Sequence, residues 1–171
     1  MKVRRIVPLL LVLLLAATFA PTQPSSAVAP DQGPSAFGQG EFFNILTHES
    51  WSFSFDAMAN KNGQARGRAT FDIFHNSGQT QVVVKINCLD VHGSSGLADA
   101  IIVGSVLHSD DPDFPKRAKV IFAAEDNSGF PTTRLDVITP LFVVPFEGDC
   151  HDIGQPLTMF QVSTDAITIE L

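Results

Sequence analysis

The stretch TQVVVKINCLDV at residues 80–91 has the side-chain pattern of a long β-strand. Apolar residues occupy every second position, which predicts that they share one face of a sheet: Val82, Val84, Ile86 and Cys88. The positions between them are mixed in polarity, which predicts a half-exposed opposite face: Gln81, Val83, Lys85 and Asn87. Similar runs, separated by Gly, Asn and Asp, lie on both sides of this strand. The sequence therefore predicts an antiparallel meander with residues 80–91 near its centre.

Two strands are predicted directly before the central one, at residues 49–58 and 65–74. The first of them places its apolar side chains on one face: Trp51, Phe53, Phe55 and Ala57. The Asn62-Gly63 pair between the two strands favours a tight hairpin, because both residues tolerate a positive φ angle. Small residues at the start of the second strand face bulky ones across this hairpin. This arrangement predicts a close approach of the two strands, or a bend, near Gly67.

The remaining strands are predicted at residues 41–47, 97–107, 117–125, 134–144, 157–163 and 166–171. Residues 100–103 are apolar at every position, so that strand should be covered on both faces. Pro140 cannot donate a ladder hydrogen bond, which predicts a sheet edge or a break in its strand. No segment sustains a helical period. The predicted fold class is therefore all-β, an antiparallel meander of about eight strands that closes as a small barrel or folds as a two-sheet sandwich.

Residues 1–27 have the three parts of a secretory signal peptide. Basic residues stand at the start, an apolar run covers residues 6–19, and small residues follow. The run is shorter than the roughly 20 apolar residues of a membrane-spanning helix, so no stable membrane anchor is predicted. Cleavage after Ala27 or Ala29 fits the small-residue rule, and Ala27 is preferred because Pro30 would directly follow the other cut. We therefore predict Sec-type export and an extracellular location.

Composition divides the rest of the chain into a flexible linker at residues 28–40 and a single domain at residues 41–171. Beyond the signal peptide the chain carries 18 acidic residues and eight basic ones. This balance argues against nucleic acid and anionic membranes as partners, because both bind clustered Lys and Arg. No cofactor is predicted. The expected partner is an extracellular protein or a small apolar ligand.

Cys88 and Cys150 are the only cysteines in the chain. An even number of cysteines in an exported protein usually indicates a disulfide, which here would tie the loop at residues 147–154 to the end of the central strand. The alternative is that Cys88 acts as a catalytic nucleophile, which needs a free and activated thiol. Export and the strand position favour the disulfide.

Two loops concentrate carboxylates and histidines, at residues 108–113 and 149–152. Because Ca²⁺ takes six to eight oxygen ligands in flexible geometry, the candidate metal ligands are Asp110, Asp111, Asp113, Asp149 and Asp152. Neither loop has the ligand spacing of a calcium-binding motif, so solvated acidic loops are the preferred interpretation and no metal site is predicted. The hydrolase motifs Gly-x-Ser-x-Gly and His-Glu-x-x-His are absent from the sequence, and no catalytic residue is predicted.

Four aromatic side chains could line a ligand cavity if the sheet closes: Trp51, Phe53, Phe55 and Phe71. They could equally fill the core. The first arrangement would suit a small-molecule carrier or a cyclase-like barrel, and the second a non-enzymatic domain that acts by surface interaction or as a structural element. The second function is preferred from the sequence, because a well-patterned core and a disulfide accompany no convergent chemical motif. An enclosed apolar cavity of several hundred Å³ would favour the carrier instead.

Short motifs occur in strand order along the chain: Gly-x-Ala-x-Phe-x-Ile-Phe at 67–74, Val-x-Ile-x-Cys-Leu-x-Val at 84–91, Ala-x-Ile-x-Gly-x-Val at 100–106 and Asp-Asn-x-Gly at 126–129. Together they resemble a group of uncharacterised secreted bacterial proteins, some of which carry the label "post-COAP" domain. The resemblance covers most of residues 51–171. It implies an exported all-β domain with a cysteine in its middle strand, and it implies no catalytic residue. The chain departs from the group at Gly129-Phe130-Pro131, where a Gly-Glu continuation would stand, and this argues against a shared binding site in that turn.

Overall fold

The computed structural model describes residues 32–94, 97–129, 134–145, 150–152, 159–163 and 167–171. The predicted signal peptide lies outside the described residues. The strands are β1 Gln32–Asn44, β2 Glu49–Asn60, β3 Ala65–His75, β4 Gly78–Ser94, β5 Leu97–Ser109, β6 Lys119–Asp126, β7 Val137–Ile138, β8 Phe142–Val143, β9 Phe160–Gln161 and β10 Ile167–Glu170. A short 3₁₀ helix, η1, covers Cys150–Asp152. The predicted all-β fold class is confirmed.

The strands form one antiparallel sheet in the order β10-β1-β2-β3-β4-β5-β6-β7-β9, with β8 paired to β6. From β1 to β6 each strand pairs with the next, which is the predicted meander. The sheet is curled into a half-barrel, so the chain follows the barrel alternative more closely than the two-sheet sandwich. Pro140 lies between β7 and β8, where the predicted strand at 134–144 is broken.

The inner side of the curled sheet is filled by aromatic rings. Phe71 and Phe122 are buried and meet edge to face with their centroids 5.2 Å apart. Phe55 contacts Phe122 in the same way at 5.4 Å. Such T-shaped contacts are a preferred packing of aromatic side chains. The middle of the half-barrel is therefore a packed core.

Strand β5 is covered on both faces, as predicted. Ile102 belongs to the main core on the inner side. Ile101 and Val103 belong to a second cluster, which also contains Ile121 and Cys150. The covering of this outer cluster by Cys150 explains why residues 100–103 are apolar at every position.

Strand β1 begins inside the segment that composition assigned to a flexible linker. That prediction is wrong for residues 32–40, which pair with β2 on one side and β10 on the other. The small side chains of this segment serve close packing: a Cβ atom placed on Gly40 would lie 2.6 Å from Val162 Cγ1, and Ala36 is fully buried. The low hydrophobicity of residues 32–40 therefore comes from small side chains that fit closely against their neighbours.

The close approach predicted near Gly67 is confirmed. Gly67 has a φ angle of 151°, and a Cβ atom there would lie 1.9 Å from the main-chain oxygen of Asp56. Only glycine fits this position of β3 without displacing β2.

A β-bulge in β4 changes the face on which Cys88 lies. The register between β4 and β5 shifts between Ile86 and Cys88. Ile86 and Leu89 therefore both belong to the main core, whereas Cys88 packs against the outer cluster. The prediction that Cys88 shares a face with Ile86 is wrong, because the bulge interrupts the period of two.

The predicted disulfide between Cys88 and Cys150 is present, with the two Cα atoms 5.8 Å apart. It holds η1 against the outer face of β4 and β5. Cys150 is fully buried in this contact. The bridge thus covers apolar residues that the curled sheet leaves on its outside.

Two buried carboxylates join the margins of the curled sheet. Asp136 accepts hydrogen bonds from the main-chain N–H groups of Asn127 at 2.8 Å and Ile167 at 3.0 Å. Asp126 accepts one from the N–H of Ile169 at 3.3 Å. These side chains take the place of a neighbouring strand and satisfy main-chain donors of β10.

Candidate functional site

A cavity of about 300 Å³ lies at the end of the sheet where β1 ends, β2 begins and β3 ends. Its wall is mainly apolar and includes Trp51, Ile73, Phe114, Leu141 and Phe160. Its rim is polar and includes Asn44, Thr47, Glu49, His75, Asp111 and Asp113. Concave apolar walls with a few convergent polar groups are the usual form of a small-molecule site.

Trp51 places a hydrogen-bond donor in this wall. Its ring is held edge to face by Phe71 and Phe114, with centroid distances of 6.2 and 6.3 Å. The side chain is 4% exposed, and its Nε1–H has no hydrogen-bond partner among the residues that the structure describes. Buried donors are rarely left unpaired, because an unmade hydrogen bond costs about 1–3 kcal/mol.

An acidic and imidazole cluster forms the rim beside Trp51. His75 Nδ1 lies 2.6 Å from Glu49 Oε1, and His75 Nε2 lies 3.1 Å from Asp111 Oδ2. Thr80 donates its hydroxyl hydrogen to the same Asp111 oxygen at 3.0 Å. When His75 is protonated, each ring nitrogen donates to one carboxylate. The cluster then carries one positive and two negative charges.

The electrostatic shifts in the cluster follow from these contacts. Burial alone would raise the pKa of Glu49, but hydrogen bonds from Thr47 and His75 and the charge of His75 outweigh burial, so this pKa lies below its ordinary value of 4.5. The Trp51 N–H adds to the lowering, although its geometry to Glu49 falls short of a hydrogen bond. Burial alone would lower the pKa of His75, but hydrogen bonds to Glu49 and Asp111 and their charges hold it above 6.5.

Asp111 also fixes the loop that carries Phe114 into the cavity wall. Its Oδ1 accepts the N–H of Asp113 at 2.9 Å, and its main-chain oxygen accepts the N–H of Phe114 at 3.2 Å. Ser109 closes the start of the loop, because its hydroxyl oxygen accepts the N–H of Asp111 at 2.9 Å. Aspartate commonly stabilises turns in this way. One buried side chain therefore orients both the histidine and the loop.

The structure separates the four aromatic residues predicted as cavity lining. Trp51 lines the cavity at the end of the sheet. Phe53, Phe55 and Phe71 are buried in the main core, where their rings contact one another. The wall residue Phe114 was not predicted, because it follows β5 in a loop with no strand pattern.

Among the described residues, Asp110, Asp111 and Asp113 do not form a group close enough to share a metal ion. Asp110 is exposed and pairs with His108 at 3.2 Å, while Asp111 belongs to the rim cluster and Asp113 lines the cavity. Asp149 lies outside the described residues, and of Asp152 the structure describes the main chain only. Within the described part of the chain, the group whose atoms lie close enough to share a metal ion is Cys88, Cys150 and His151. Its two sulfur atoms are joined in the disulfide.

A second depression, of about 450 Å³, lies across β1, β2 and β3. It is larger than the end cavity, but it is shallower, and five of its eight lining residues are polar: Gln39, Ser54, Asp56, Arg68 and Thr70. A ligand there would be bounded by one face of the sheet only. We therefore assign the candidate site to the end cavity, whose walls come from several elements.

Cross-strand register could have revealed the rim cluster. Ser50 of β2 pairs with Phe74 of β3, so Glu49 and His75 occupy the next opposed positions of the same hairpin. The Asn62-Gly63 pair predicts the hairpin from the sequence, but a two-residue turn there would oppose Glu49 to Asn76, so the pairing with His75 is known only from the structure. Asp111 lies 36 residues from His75, and its approach depends on how β5 and its loop pack.

No protein-family model, curated protein or solved structure matches this chain. Among the residues that the structure describes, no helix is long and apolar enough to cross a bilayer. The fold and the site thus define a class: a disulfide-bonded, all-β half-barrel with an apolar cavity at one end.

The Glu49–His75 pair should stabilise the fold most between about pH 4.5 and pH 6.5. The raised pKa of His75 contributes stability that is complete below 6.5 and is lost as the pH rises through the folded-state value. The lowered pKa of Glu49 contributes stability that is complete above 4.5 and is lost as the pH falls through its folded-state value. The measurement is the free energy of unfolding against pH for the wild type and for His75→Gln. A matched control is His108→Gln, an exposed histidine, and an equal loss at every pH for His75→Gln would contradict the prediction.

Proposed function

We propose that the protein is an exported small-molecule-binding protein, and that it holds a compact apolar ligand in the cavity at the end of the sheet. The observation that carries this proposal is the Trp51 N–H, which has no partner among the described residues and lies in the apolar wall of a half-open cavity of about 300 Å³. The cysteine pair at disulfide distance is compatible with an extracellular location, and the features of residues 1–27 support export. The resemblance to secreted "post-COAP" proteins stays a prediction.

The apolar wall provides the driving force for binding. Aromatic and aliphatic side chains from β2, β3, β9 and two loops converge there, so a ligand would lose much of its own apolar surface to the protein. The middle of the half-barrel is already occupied by Phe71 and Phe122. The ligand therefore has to be short enough to remain at the end of the sheet.

Trp51 makes the proposal directly testable, because it is the single tryptophan of a chain without tyrosine. Titration with decalin, a compact bicyclic hydrocarbon, should change the emission of Trp51 and raise the melting temperature. At a ligand concentration of 100 times Kd the fold should gain about 2.7 kcal/mol. Leu141→Phe, which extends a ring into the cavity, should abolish both effects.

The matched control for this substitution is Leu107→Phe, at an exposed position of β5 that does not line the cavity. It should bind decalin like the wild type. If neither decalin nor other compact apolar probes change the emission or raise the melting temperature of the wild type, ligand binding at this site is excluded. The melting temperatures of both variants show whether the loss in Leu141→Phe comes from occupation of the cavity or from misfolding.

Surface interaction, the function preferred from the sequence, is a second candidate. It is favoured by exposed apolar side chains near the cavity: Phe43, Ile45, Leu46, Phe142 and Val143. Leu46 and Phe142 also border the cavity mouth. A failure of decalin and other compact apolar probes to bind would leave this surface as the supported site.

A further inference from the structure

We infer that the ligand of the end cavity carries a hydroxyl group, which accepts a hydrogen bond from Trp51 Nε1–H and donates one to the Glu49 carboxylate. This inference rests on the proposed function and specifies the chemical class of its ligand. The bound molecule is thus a compact apolar alcohol or phenol.

The hydrogen-bond donor in the cavity wall is the indole N–H of Trp51. An indole nitrogen can only donate, and the Trp51 N–H has no hydrogen-bond partner among the described residues, so a ligand in the cavity can supply the acceptor atom. Its ring is held by Phe71 and Phe114 and cannot easily turn to find another partner. A pure hydrocarbon would leave the N–H unpaired in a still drier site, which increases its cost.

The acceptor on the rim beside Trp51 is the carboxylate of Glu49. Glu49 and Trp51 both line the end cavity, and the Trp51 N–H makes no hydrogen bond to a described residue within ordinary distance and angle limits, although it contributes to the lowered pKa of Glu49. Glu49 Oε1 already accepts from His75. A carboxylate offers about four lone-pair positions, so it can accept a further hydrogen bond from a ligand. A group that bridges the indole and the carboxylate must both accept and donate.

The charge of the rim distinguishes among the ligand groups that could bridge Trp51 and Glu49. The rim presents three carboxylates, those of Glu49, Asp111 and Asp113, against the single imidazolium of His75. An anionic ligand would accept from Trp51 but would be repelled by this excess of negative charge. An ammonium group would pair with the carboxylates but cannot accept from Trp51. A hydroxyl group is neutral and does both.

The test compares three ligands that share one ring system: decalin, decalin alcohol and decalin carboxylate. Calorimetry gives the affinity of each for the wild type, Trp51→Phe and Glu49→Gln. The quantity of interest is the ratio of the alcohol and hydrocarbon affinities, because a comparison between variants cancels the different hydration of the two ligands. This ratio should fall by about tenfold or more in each variant. Trp51→Phe removes the donor of the hydrogen bond to the ligand hydroxyl, and Glu49→Gln removes its charged acceptor. The carboxylate should bind more weakly than the alcohol.

The outcomes distinguish the inference from the proposed function. If decalin binds the wild type but the alcohol-to-hydrocarbon ratio is the same in all three proteins, the hydroxyl inference fails and the binding function stands. If the carboxylate binds most tightly, the inference is overturned in favour of an anion site. If no ligand binds the wild type, the proposed function fails as well. Glu49→Gln keeps the test valid should Trp51→Phe fold poorly, because Glu49 lies at the rim and is not part of the packed core.

Discussion

Replacement of Asp136 by alanine is expected to lower the free energy of unfolding by about 4 kcal/mol. Asp136 is 1% exposed and accepts the main-chain N–H groups of Asn127 and Ile167 through different carboxylate oxygens. Alanine would leave both donors buried and unpaired, and each such group costs about 1–3 kcal/mol. The loss would be a large part of the roughly 5–15 kcal/mol that stabilises an ordinary domain. Unfolding in urea, followed by far-ultraviolet circular dichroism, measures it.

Two further variants test the cause of this effect. Asp136→Asn keeps one acceptor oxygen and should lose about half as much stability as the alanine variant. Asp113→Ala removes an exposed carboxylate and should change the free energy of unfolding by less than about 0.5 kcal/mol. A loss below about 1 kcal/mol in Asp136→Ala would show that the margins of the sheet are not held by this side chain.

Removal of the disulfide should have an effect of similar size. The cysteines are 62 residues apart in sequence, and the chain-entropy model gives about 4 kcal/mol for a bridge that closes a loop of this length. Release of η1 would also uncover Ile101 and Val103 on the outer face of β5. Both effects lower the stability of the reduced protein.

The measurement compares urea unfolding of the oxidised wild type, the wild type in excess dithiothreitol, and the double variant Cys88→Ala, Cys150→Ala. The reduced protein and the double variant should agree, because both lack the covalent link. Equal midpoints for the oxidised and reduced proteins would contradict the prediction. Decalin binding should survive in the double variant while it stays folded, since neither cysteine lines the end cavity.

Much of the sheet could be predicted because its central strands alternate strictly. β2 and β3 each place apolar residues at every second position, and the Asn-Gly pair between them marks the hairpin. Residues 32–40 of β1 could not be recognised, because their Gly-rich sequence signals flexibility unless the tight contacts with neighbouring residues are known. β7, β8 and β9 lie within the strands predicted at 134–144 and 157–163, but they have only two residues each, too few for a periodic pattern to mark where they end.

The candidate site was predicted only in part. Trp51 was identified from its strand pattern, but as a member of an aromatic row that instead divides between the cavity and the core. Glu49 and His75 lie at strand ends, where alternation gives no reason to select them. Asp111 was considered as a metal ligand, and its actual contacts are with His75, Thr80 and the N–H of Asp113.

By itself the sequence determined the fold class, the meander of β2 to β6, the close approach at Gly67 and the pairing of Cys88 with Cys150. These features depend on residues near one another in the chain or, for the cysteines, on a choice with a single solution. Only the tertiary structure decided that a bulge turns Cys88 outward, that Asp126 and Asp136 join the margins of the sheet, and that a cavity remains beside Trp51. Each of these depends on the exact space between residues far apart in the sequence, and local alternation of polar and apolar side chains carries no information about that space.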